Sequence, residues 1–418
     1  MATIMLLGGS NAQQSAARRA KDEGHRVVLV DYYERPPAAE LCDVHVREST
    51  FDIPACVRAA RKHRVDAVFT LGTDQPVYTA AKVAEALTLP CPISVETALR
   101  ATDKRAMKRA FVRAGVPHAP FAFLRAGQRA EGLHHLAPPL VIKPLDAQGQ
   151  RGVFKVGGAQ EAVARLSETL SFSRRDEALV ERFYPSDEVT LSCFVWRGKV
   201  YPLTLTDRQL MDDPVHIGVC AAHRYPSVHA RRAAEIHAIA ERTARALGVM
   251  AGPLYIQMLI GEAGIVVNEA ACRIGGAFED AFIPYATGFD ILGAALGLAL
   301  GREPDLSALE SPTARAGRQV SVQMLFLQPG AAIADMTPLA ELTALPGVLL
   351  AGYNYARGSA PPPMENALAR FGHCVLATDR GDMATRVERL YRTLRVTDAR
   401  GKNLVLRRTY DGEAMPDD

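Results

Sequence analysis

A lysine at the end of a short β-branched run is followed by a loop that could bind phosphate groups. The run Leu140–Lys143 is typical of a short strand, and Gly149 and Gly152 lie in the loop that follows it. Such a loop can turn its backbone N–H groups toward phosphate oxygens, while Lys143 supplies a positive charge. The loop lacks the G-x-x-x-x-G-K-[ST] pattern of a P-loop, and a hairpin turn with a charged neighbour is the alternative interpretation.

A second lysine, Lys104, follows Thr102 and Asp103 at the predicted start of a helix. An N-cap residue at either position places Lys104 in the first helical turn, where the backbone dipoles favour anions. A lysine there is more often a solvated surface charge, so Lys104 is a candidate phosphate ligand only in combination with Lys143.

Two glutamates flank a turn further along the chain. An apolar run leads into Glu181, and Glu188 begins the next predicted strand. The segment between them could offer backbone groups to an adenine base and a carboxylate to ribose hydroxyls. Glutamates beside a turn are also common on ordinary protein surfaces, which is the alternative.

A predicted hairpin could bring two oxygen-bearing side chains together. The strands 254–260 and 265–269 are separated by a short turn, so Gln257 and Glu269 can lie on adjacent strands and face the same side. Mg²⁺ prefers carboxylate oxygens completed by phosphates and waters. Arg273 could then stabilise a transferring phosphoryl group. A buried polar pair satisfied by the backbone is the alternative.

The elements that must position these residues predict an α/β fold followed by α+β folds. Up to about residue 98, strands alternate with helical patterns, which implies a parallel sheet with right-handed crossovers. Residues 99–305 have several closely spaced strands and a long helix at His229–Leu247, which favours an α+β domain. A third, mixed α+β domain is expected at 306–410, and a flexible tail at 411–418.

Composition narrows the class of protein. The 418 residues exceed the roughly 250–300 that one hydrophobic core usually supports, so two or three cores are expected. A net charge of +3 is weak for a nucleic-acid partner. Seven scattered cysteines without a C-x-x-C pair argue against disulfides and structural zinc, and favour the cytoplasm. The N-terminus lacks the pattern of a signal peptide, and no apolar run is long enough for a bilayer, so a soluble protein without a membrane partner is expected.

Together, in this order along the chain, these features resemble the ATP-grasp superfamily, whose members close two α+β lobes over ATP. The resemblance implies an N-terminal doubly wound pre-ATP-grasp domain at 1–98, a central two-lobed ATP-grasp domain at 99–305 and a mixed C-terminal domain. It also implies ATP and Mg²⁺ as cofactors, with Mn²⁺ as an alternative ion, and a homodimer as the assembly.

The resemblance gives each candidate residue a role. The residues expected to bind the nucleotide are Lys104, Lys143, Gln150, Arg151, Gly152, Glu181, Arg182, Phe183 and Glu188. The residues expected to face the metal ions are Gln257 and Glu269. The expected catalytic residues are Lys143 and Arg273, and the expected substrate contacts are Arg208, His223, Arg273, Gly275 and Gly276.

The activity implied by the resemblance is that of an ATP-dependent carboxylate–amine ligase. A carboxylate does not react with an amine until phosphoryl transfer gives it a good leaving group, so the protein must mainly position groups and stabilise charge. The segment Arg273–Phe278 resembles the amino-acid ligase branch, which implies a peptide-like product with an amino acid as at least one substrate. Two departures, the neutral Gln257 and the absence of asparagine at Ala271, leave the number of metal ions open.

Other functions remain open to different degrees. A ligase or carboxylase acting on a nucleotide precursor is the first alternative, and a non-catalytic ATP-binding protein is the second. A Rossmann dehydrogenase would use Gly8, Gly9 and Asp31, but the three-glycine spacing is missing. A serine hydrolase is disfavoured because the sequence around Ser10 departs from G-x-S-x-G.

Overall fold

The first part of the chain forms a four-stranded parallel sheet with helices beside it. The computed structural model describes residues 1–310, 317–379 and 381–415. The strand order is β3-β2-β1-β4, with β1 Thr3–Leu7, β2 Arg26–Val30, β3 Val44–Val46 and β4 Ala67–Phe69. The helices are α1 Gln14–Asp22, α2 Ile53–His63, α3 Gln75–Leu87 and α4 Val95–Thr102. This is the doubly wound pattern that the alternation of strands and helices predicts.

A second, smaller sheet follows and is antiparallel. Its order is β5-β8-β6-β7, with β5 Phe121–Arg125, β6 Leu140–Pro144, β7 Phe154–Val156 and β8 Glu177–Arg182. The helix α5, Lys104–Ala114, precedes it, and α6, Ala159–Ser171, packs against it. Asp103 caps α5, because its carboxylate accepts a hydrogen bond from the Ala106 N–H at 2.9 Å.

The third sheet has eight antiparallel strands in the order β13-β12-β9-β10-β11-β14-β17-β16. Its first strands are β9 Asp187–Trp196, β10 Lys199–Leu210, β11 Cys220–Tyr225, β12 Ala251–Gly261 and β13 Gly264–Ala271. Its later strands are β14 Gln319–Phe326, β16 Val348–Tyr353 and β17 Arg370–Thr378, while β15 Asp335–Met336 pairs with β18 Val396–Thr397. The remaining helices are α7 Ala233–Leu247, α8 Glu279–Thr287, α9 Ile291–Ala299, α10 Ser307–Glu310, α11 Leu339–Thr343 and α12 Met383–Thr393.

Strands from both sides of residue 305 share this sheet, because β11 pairs with β14. The largest cluster of buried apolar side chains also joins the N-terminal, central and C-terminal parts of the chain, through residues such as Ile4, Phe282 and Val375. The division of the chain at residues 98 and 305 therefore stays a proposal about how the fold is organised.

Two predicted segments differ from the structure. The long helix expected at His229–Leu247 begins at Ala233, because residues 230–232 form a single 3₁₀ turn without a side-chain cap. Part of the expected flexible tail is hydrogen-bonded, since the Met415 N–H donates to the Arg407 carbonyl at 3.1 Å. Residues 416–418 of that tail lie outside the described residues.

In the described part of the chain, no single helix is both long and apolar enough to cross a membrane. The consecutive helices α8 and α9 pass that test only as a pair, and they meet at an angle of 118°.

Candidate active site

A cleft of about 1210 Å³ lies between the two antiparallel sheets and the N-terminal parallel sheet. The side chains that line it include both acids and bases, and several come from segments far apart in the sequence. Fourteen of the predicted site residues line this cleft: Lys104, Lys143, Gln150, Arg151, Glu181, Arg182, Phe183, Glu188, Arg208, His223, Gln257, Glu269, Arg273 and Gly276.

The two other predicted site residues, Gly152 and Gly275, are closely packed. A Cβ atom at Gly152 would lie 2.8 Å from the Phe172 ring, and one at Gly275 would overlap the Glu279 carboxylate. Packing against a neighbouring side chain accounts for glycine at both positions, and direct nucleotide or substrate contact there stays a prediction.

Glu181 is held between two buried lysines in the cleft wall. Lys108 Nζ lies 2.7 Å from Glu181 Oε1, and Lys143 forms a short ion pair with Oε2. Burial opposes ionisation of Glu181, but the charges of the two lysines outweigh it and lower the pKa of the carboxyl to about 2. The expected adenine contact of Glu181 stays a prediction, and in this structure both oxygens hold cations.

Lys108 had no role in the sequence prediction. It lies on α5 one turn after Lys104, and only 1% of the side chain is exposed. Its Nζ also lies 3.2 Å from the carbonyl oxygen of Asn268. The strands β8 and β13 supply these partners. Lys104 and Lys108 thus lie on one face of α5, with Lys104 in the cleft lining and Lys108 buried among its partners.

Glu188 is engaged by two side chains from neighbouring strands. The pairing of β9 with β10 places Arg208 opposite Glu188, and Arg208 Nε donates to Glu188 Oε2 at 3.1 Å. Gln257 Nε2 donates to the same oxygen at 2.8 Å. Glu188, expected at the ribose, therefore also orients Arg208 and the amide of Gln257.

The hairpin of β12 and β13 pairs Gln257 with Glu269, as the sequence predicts. The next pair is Met258 with Val267, so Asn268 is an extra residue in β13 and forms a β-bulge. The bulge allows Asn268 and Glu269, although consecutive, both to line the cleft. Asn268 Oδ1 accepts a hydrogen bond from Lys143 Nζ at 3.0 Å. Asn268, one residue before Glu269, thus uses its side-chain oxygen to hold Lys143 in the cleft.

Glu269 stays ionised in this setting. Burial raises the pKa of its carboxyl, but Lys104, Lys143, Arg208 and Arg273 together lower it below the ordinary value. An ionised carboxylate next to the amide of Gln257 is an oxygen set that suits Mg²⁺, which takes one or two protein carboxylates and completes its shell with phosphates and waters.

The loop between β6 and β7 is tied to three other parts of the protein. Lys104 Nζ donates to the Ala147 carbonyl at 2.9 Å. The Asp74 N–H donates to Gln148 Oε1 at 2.6 Å, and the Ala367 N–H donates to the Gly149 carbonyl at 3.0 Å. The loop expected to cover the phosphates therefore contacts the N-terminal sheet and the C-terminal part of the chain at the same time.

Arg273 and Asp74 form an ion pair between the hairpin and the N-terminal sheet. The Asp74 Oδ1 atom lies 2.6 Å from Arg273 Nε and 2.5 Å from Nη2. Asp74 was missed from the sequence because it is 199 residues away from its partner. The pair fixes the guanidinium beside Glu269, where it can act on a developing negative charge.

Arg208 and His223 lie side by side at the same end of the cleft, because they are paired across β10 and β11. Arg208 Nη1 donates to the Tyr255 hydroxyl at 3.2 Å. Burial, together with the charges of Arg208 and Arg370, lowers the pKa of His223 well below its ordinary range. The histidine is therefore neutral at physiological pH.

The cleft lies between two lobes and brings lysines from α5 and β6 close to a carboxylate-bearing hairpin, as the resemblance to ATP-grasp proteins implies. Residues 101–277 match the family model described as the ATP-grasp domain. This central part of the chain is therefore similar to an ATP-grasp domain.

Similar proteins with curated descriptions include several ligases. A D-alanine–D-alanine ligase of Roseobacter denitrificans is 36% identical over 107 residues, which is 26% of this chain and 31% of that protein. A formate-dependent phosphoribosylglycinamide formyltransferase of Synechococcus is 25% identical over 193 residues, covering 45% of this chain and 49% of that protein. An uncharacterized protein of Sinorhizobium fredii is 26% identical over 57% of this chain and 50% of its own length. The chain thus spans about half or less of the length of these relatives.

Solved structures match over almost the whole chain. The L-amino acid ligase of Bacillus licheniformis has a TM-score of 0.78 at 18% identity and covers 95% of this chain and 99% of its own. A phosphoribosylglycinamide synthetase of Anaerococcus prevotii has a TM-score of 0.75 at 16% identity, with the same coverage. These likenesses show that the fold is shared.

Proposed function

We propose that this protein is an ATP-dependent ligase that activates a carboxylate as an acyl phosphate and joins it to an amine, with an amino acid as at least one substrate. The observation that carries the proposal is the meeting of Lys104, Lys143 and Glu269 in one cleft. Two lysines beside the loop between β6 and β7, together with a carboxylate on the hairpin of β12 and β13, match what phosphoryl transfer requires.

The nucleotide is proposed to lie along the cleft. Lys104 and Lys143 supply charge for the phosphates, and the segment Glu181–Phe183 lies where the base would be held. The oxygens of Gln257 and Glu269 would hold Mg²⁺, which would neutralise charge on the phosphates. Because Gln257 gives its amide N–H to Glu188, its oxygen is left to face the metal.

The reaction has two steps. A carboxylate oxygen attacks the γ-phosphorus of ATP, so a P–O bond forms and the bond to ADP breaks. A neutral amine then attacks the acyl carbon, so a C–N bond forms, the C–O bond to phosphate breaks, and a proton is released. Arg208 and Arg273, held in place by Glu188 and Asp74, supply fixed positive charge where negative charge develops.

A ligase acting on a nucleotide precursor is the second candidate. It is favoured by the partial sequence match to phosphoribosylglycinamide formyltransferases. The two candidates share the nucleotide and metal residues and differ in the acceptor.

ADP release in the presence of Mg²⁺, ATP and single amino acids or amino-acid pairs tests the proposal. Lys143→Ala and Glu269→Ala should each lower turnover on the order of 100-fold, because each acts on charge in the transition state. Lys199→Ala, an exposed lysine on β10, is the matched control and should keep full activity. Near-normal ADP formation in either cleft variant would contradict the assignment. Nucleotide binding without ADP release for any carboxylate would indicate a non-catalytic ATP-binding protein.

A further inference from the structure

Arg370 lies in the lining of the cleft and has no acidic partner among the residues that the structure describes. Arg208 is paired with Glu188, and Arg273 with Asp74. In the part of the chain that the structure describes, no carboxylate forms an ion pair with Arg370. Its Nε is shielded from solvent without a hydrogen-bond partner, and its Nη2 reaches only the Cys220 carbonyl at 3.5 Å.

This isolation indicates a place for an anion from outside the protein. A shielded guanidinium without a counter-ion is costly in the folded state, and an anionic ligand offsets that cost when it binds. Burial lowers the pKa of Arg370, as does the neighbouring charge of Arg208. Arg370 lines the cleft, so a ligand bound there is within the proposed active site.

The anion at Arg370 differs from the group that is phosphorylated. The cations that act most strongly on Glu269 are Lys104, Lys143, Arg208 and Arg273. In the order of strands in the eight-stranded sheet, β17 with Arg370 lies further from the hairpin of β12 and β13 than β10 with Arg208 does. A carboxylate bound to Arg370 is therefore held away from the proposed metal residues on that hairpin. In an α-amino acid only the α-carbon separates the amino nitrogen from the carboxylate, so this anchor leaves the nitrogen free to approach the acyl phosphate.

A phosphate group is disfavoured at the other candidate anion site, the loop between β1 and α1. Backbone N–H groups in such loops bind phosphates in many α/β proteins. Here the Gly9 N–H donates to Asp31 Oδ2 at 2.8 Å and the Tyr33 N–H donates to Asp31 Oδ1 at 2.9 Å. Asp31 thus takes up the Gly9 N–H and places a carboxylate beside this loop, where it would repel a phosphorylated substrate.

The cleft beside Arg370 is apolar at its mouth. Leu368 is 57% exposed and Tyr33 is 58% exposed, and both line the cleft. The Tyr355 hydroxyl donates to the Leu368 carbonyl at 2.5 Å, which holds the backbone of Leu368 in place. Exposed apolar groups within a cleft favour a ligand with an apolar substituent.

We propose that Arg370 binds the α-carboxylate of the acceptor, and that the acceptor is an amino acid with an apolar side chain rather than a phosphorylated amine. This inference rests on the proposed ligase function. It adds a substrate class and a specificity residue to the same site.

Hydroxylamine separates activation of the donor from recognition of the acceptor, because it traps acyl phosphates as hydroxamates and carries no carboxylate. Wild type is first screened with hydroxylamine and each proteinogenic amino acid as donor. Arg370→Gln should then form hydroxamate at a rate close to that of wild type. Its KM for leucine as the acceptor should rise about 10- to 100-fold, as expected when a charged hydrogen bond is lost.

A comparison of leucine with leucinamide isolates the carboxylate. Wild type should prefer leucine, Arg370→Gln should lose this preference, and Arg370→Lys should keep part of it. Arg392→Gln, an arginine on α12 whose side chain is 70% exposed, is the matched control and should behave as wild type. Thermal unfolding of each variant checks that it is folded under the conditions of the activity assay.

Three results would each overturn this inference and leave the proposed function standing. The first is that Arg370→Gln still prefers leucine to leucinamide, and the second is that it loses as much activity with hydroxylamine as with leucine. The third is that wild type uses O-phosphoethanolamine better than leucine as the acceptor. Absence of both hydroxamate and ADP in wild type with every donor would overturn the proposed function, and this inference with it.

Discussion

The cluster of Lys108, Lys143 and Glu181 predicts a large stability cost for a very small change. Glu181→Gln keeps the shape of the side chain and removes the negative charge that the two buried ammonium groups share. Both buried ammonium groups then lose the carboxylate with which they form ion pairs, whereas in the unfolded chain water solvates them. The free energy of unfolding should fall.

The magnitude follows from the pKa of Glu181, which is lowered from 4.5 to about 2. A change of one unit corresponds to about 1.4 kcal/mol, so the ionised carboxylate stabilises the folded state by about 3 kcal/mol at neutral pH. Breaking a buried ion pair by removing one partner typically costs about 3–5 kcal/mol, which agrees. The side chain is 6% exposed, so solvent screening reduces the effect little.

The pH dependence has a definite sign. Because the pKa of Glu181 is lower in the folded state, its contribution is complete above pH 4.5 and is lost as the pH falls toward 2. The difference between wild type and Glu181→Gln should therefore be constant near neutral pH and shrink in acid.

Urea unfolding followed by circular dichroism measures both effects. Glu168→Gln is the control, since Glu168 pairs with Arg165 on the surface of α6 and its side chain is 49% exposed. The control should lose less than about 0.5 kcal/mol. A loss below about 1 kcal/mol in Glu181→Gln, or a difference from wild type that does not shrink in acid, would refute the account of the cluster.

Two further predictions concern Asp74 and Gly261. Asp74→Asn removes the counter-charge of Arg273. Because Asp74 acts through Arg273 on the transition state, kcat should fall about 10-fold while the KM for ATP changes little. A change confined to KM in steady-state kinetics would contradict this. Gly261→Ala should lower the free energy of unfolding by about 1–3 kcal/mol in urea, since the added Cβ overlaps the Pro185 carbonyl oxygen. Gly132→Ala, which has open space around it, is the control, and equal loss in both variants would argue against the overlap.

The parts of the site that follow chain-local patterns could be predicted from sequence. A turn between two apolar runs placed Gln257 opposite Glu269, and the register of β12 and β13 confirms that pairing. Likewise, an N-cap residue placed Lys104 in the first turn of α5, where the structure has it. These features depend on hydrogen bonds between residues close in sequence, so local spacing is sufficient to find them.

The missed residues depend on contacts that local spacing does not contain. Lys108 has the pattern of a helix-surface lysine and becomes buried only because β8 and β13 pack over it. Asn268 lines the cleft because of a β-bulge. The alternation of polar and apolar residues along a strand does not show where such a bulge lies. Asp74 and Arg370 reach the cleft from the N-terminal sheet and from β17.

The distribution of charge in the cleft connects the two proposals. Glu181, Glu188 and Asp74 neutralise most of the charge along its middle by pairing with lysine and arginine side chains. Lys104 donates to a neutral carbonyl, and Arg370 has no acidic partner among the described residues, so each can take an anionic ligand without breaking an ion pair. Arg208 and Arg273 are already held by Glu188 and Asp74. A triphosphate near Lys104 and an acceptor carboxylate at Arg370 therefore leave the paired arginines free to stabilise the charge that develops as the bond forms.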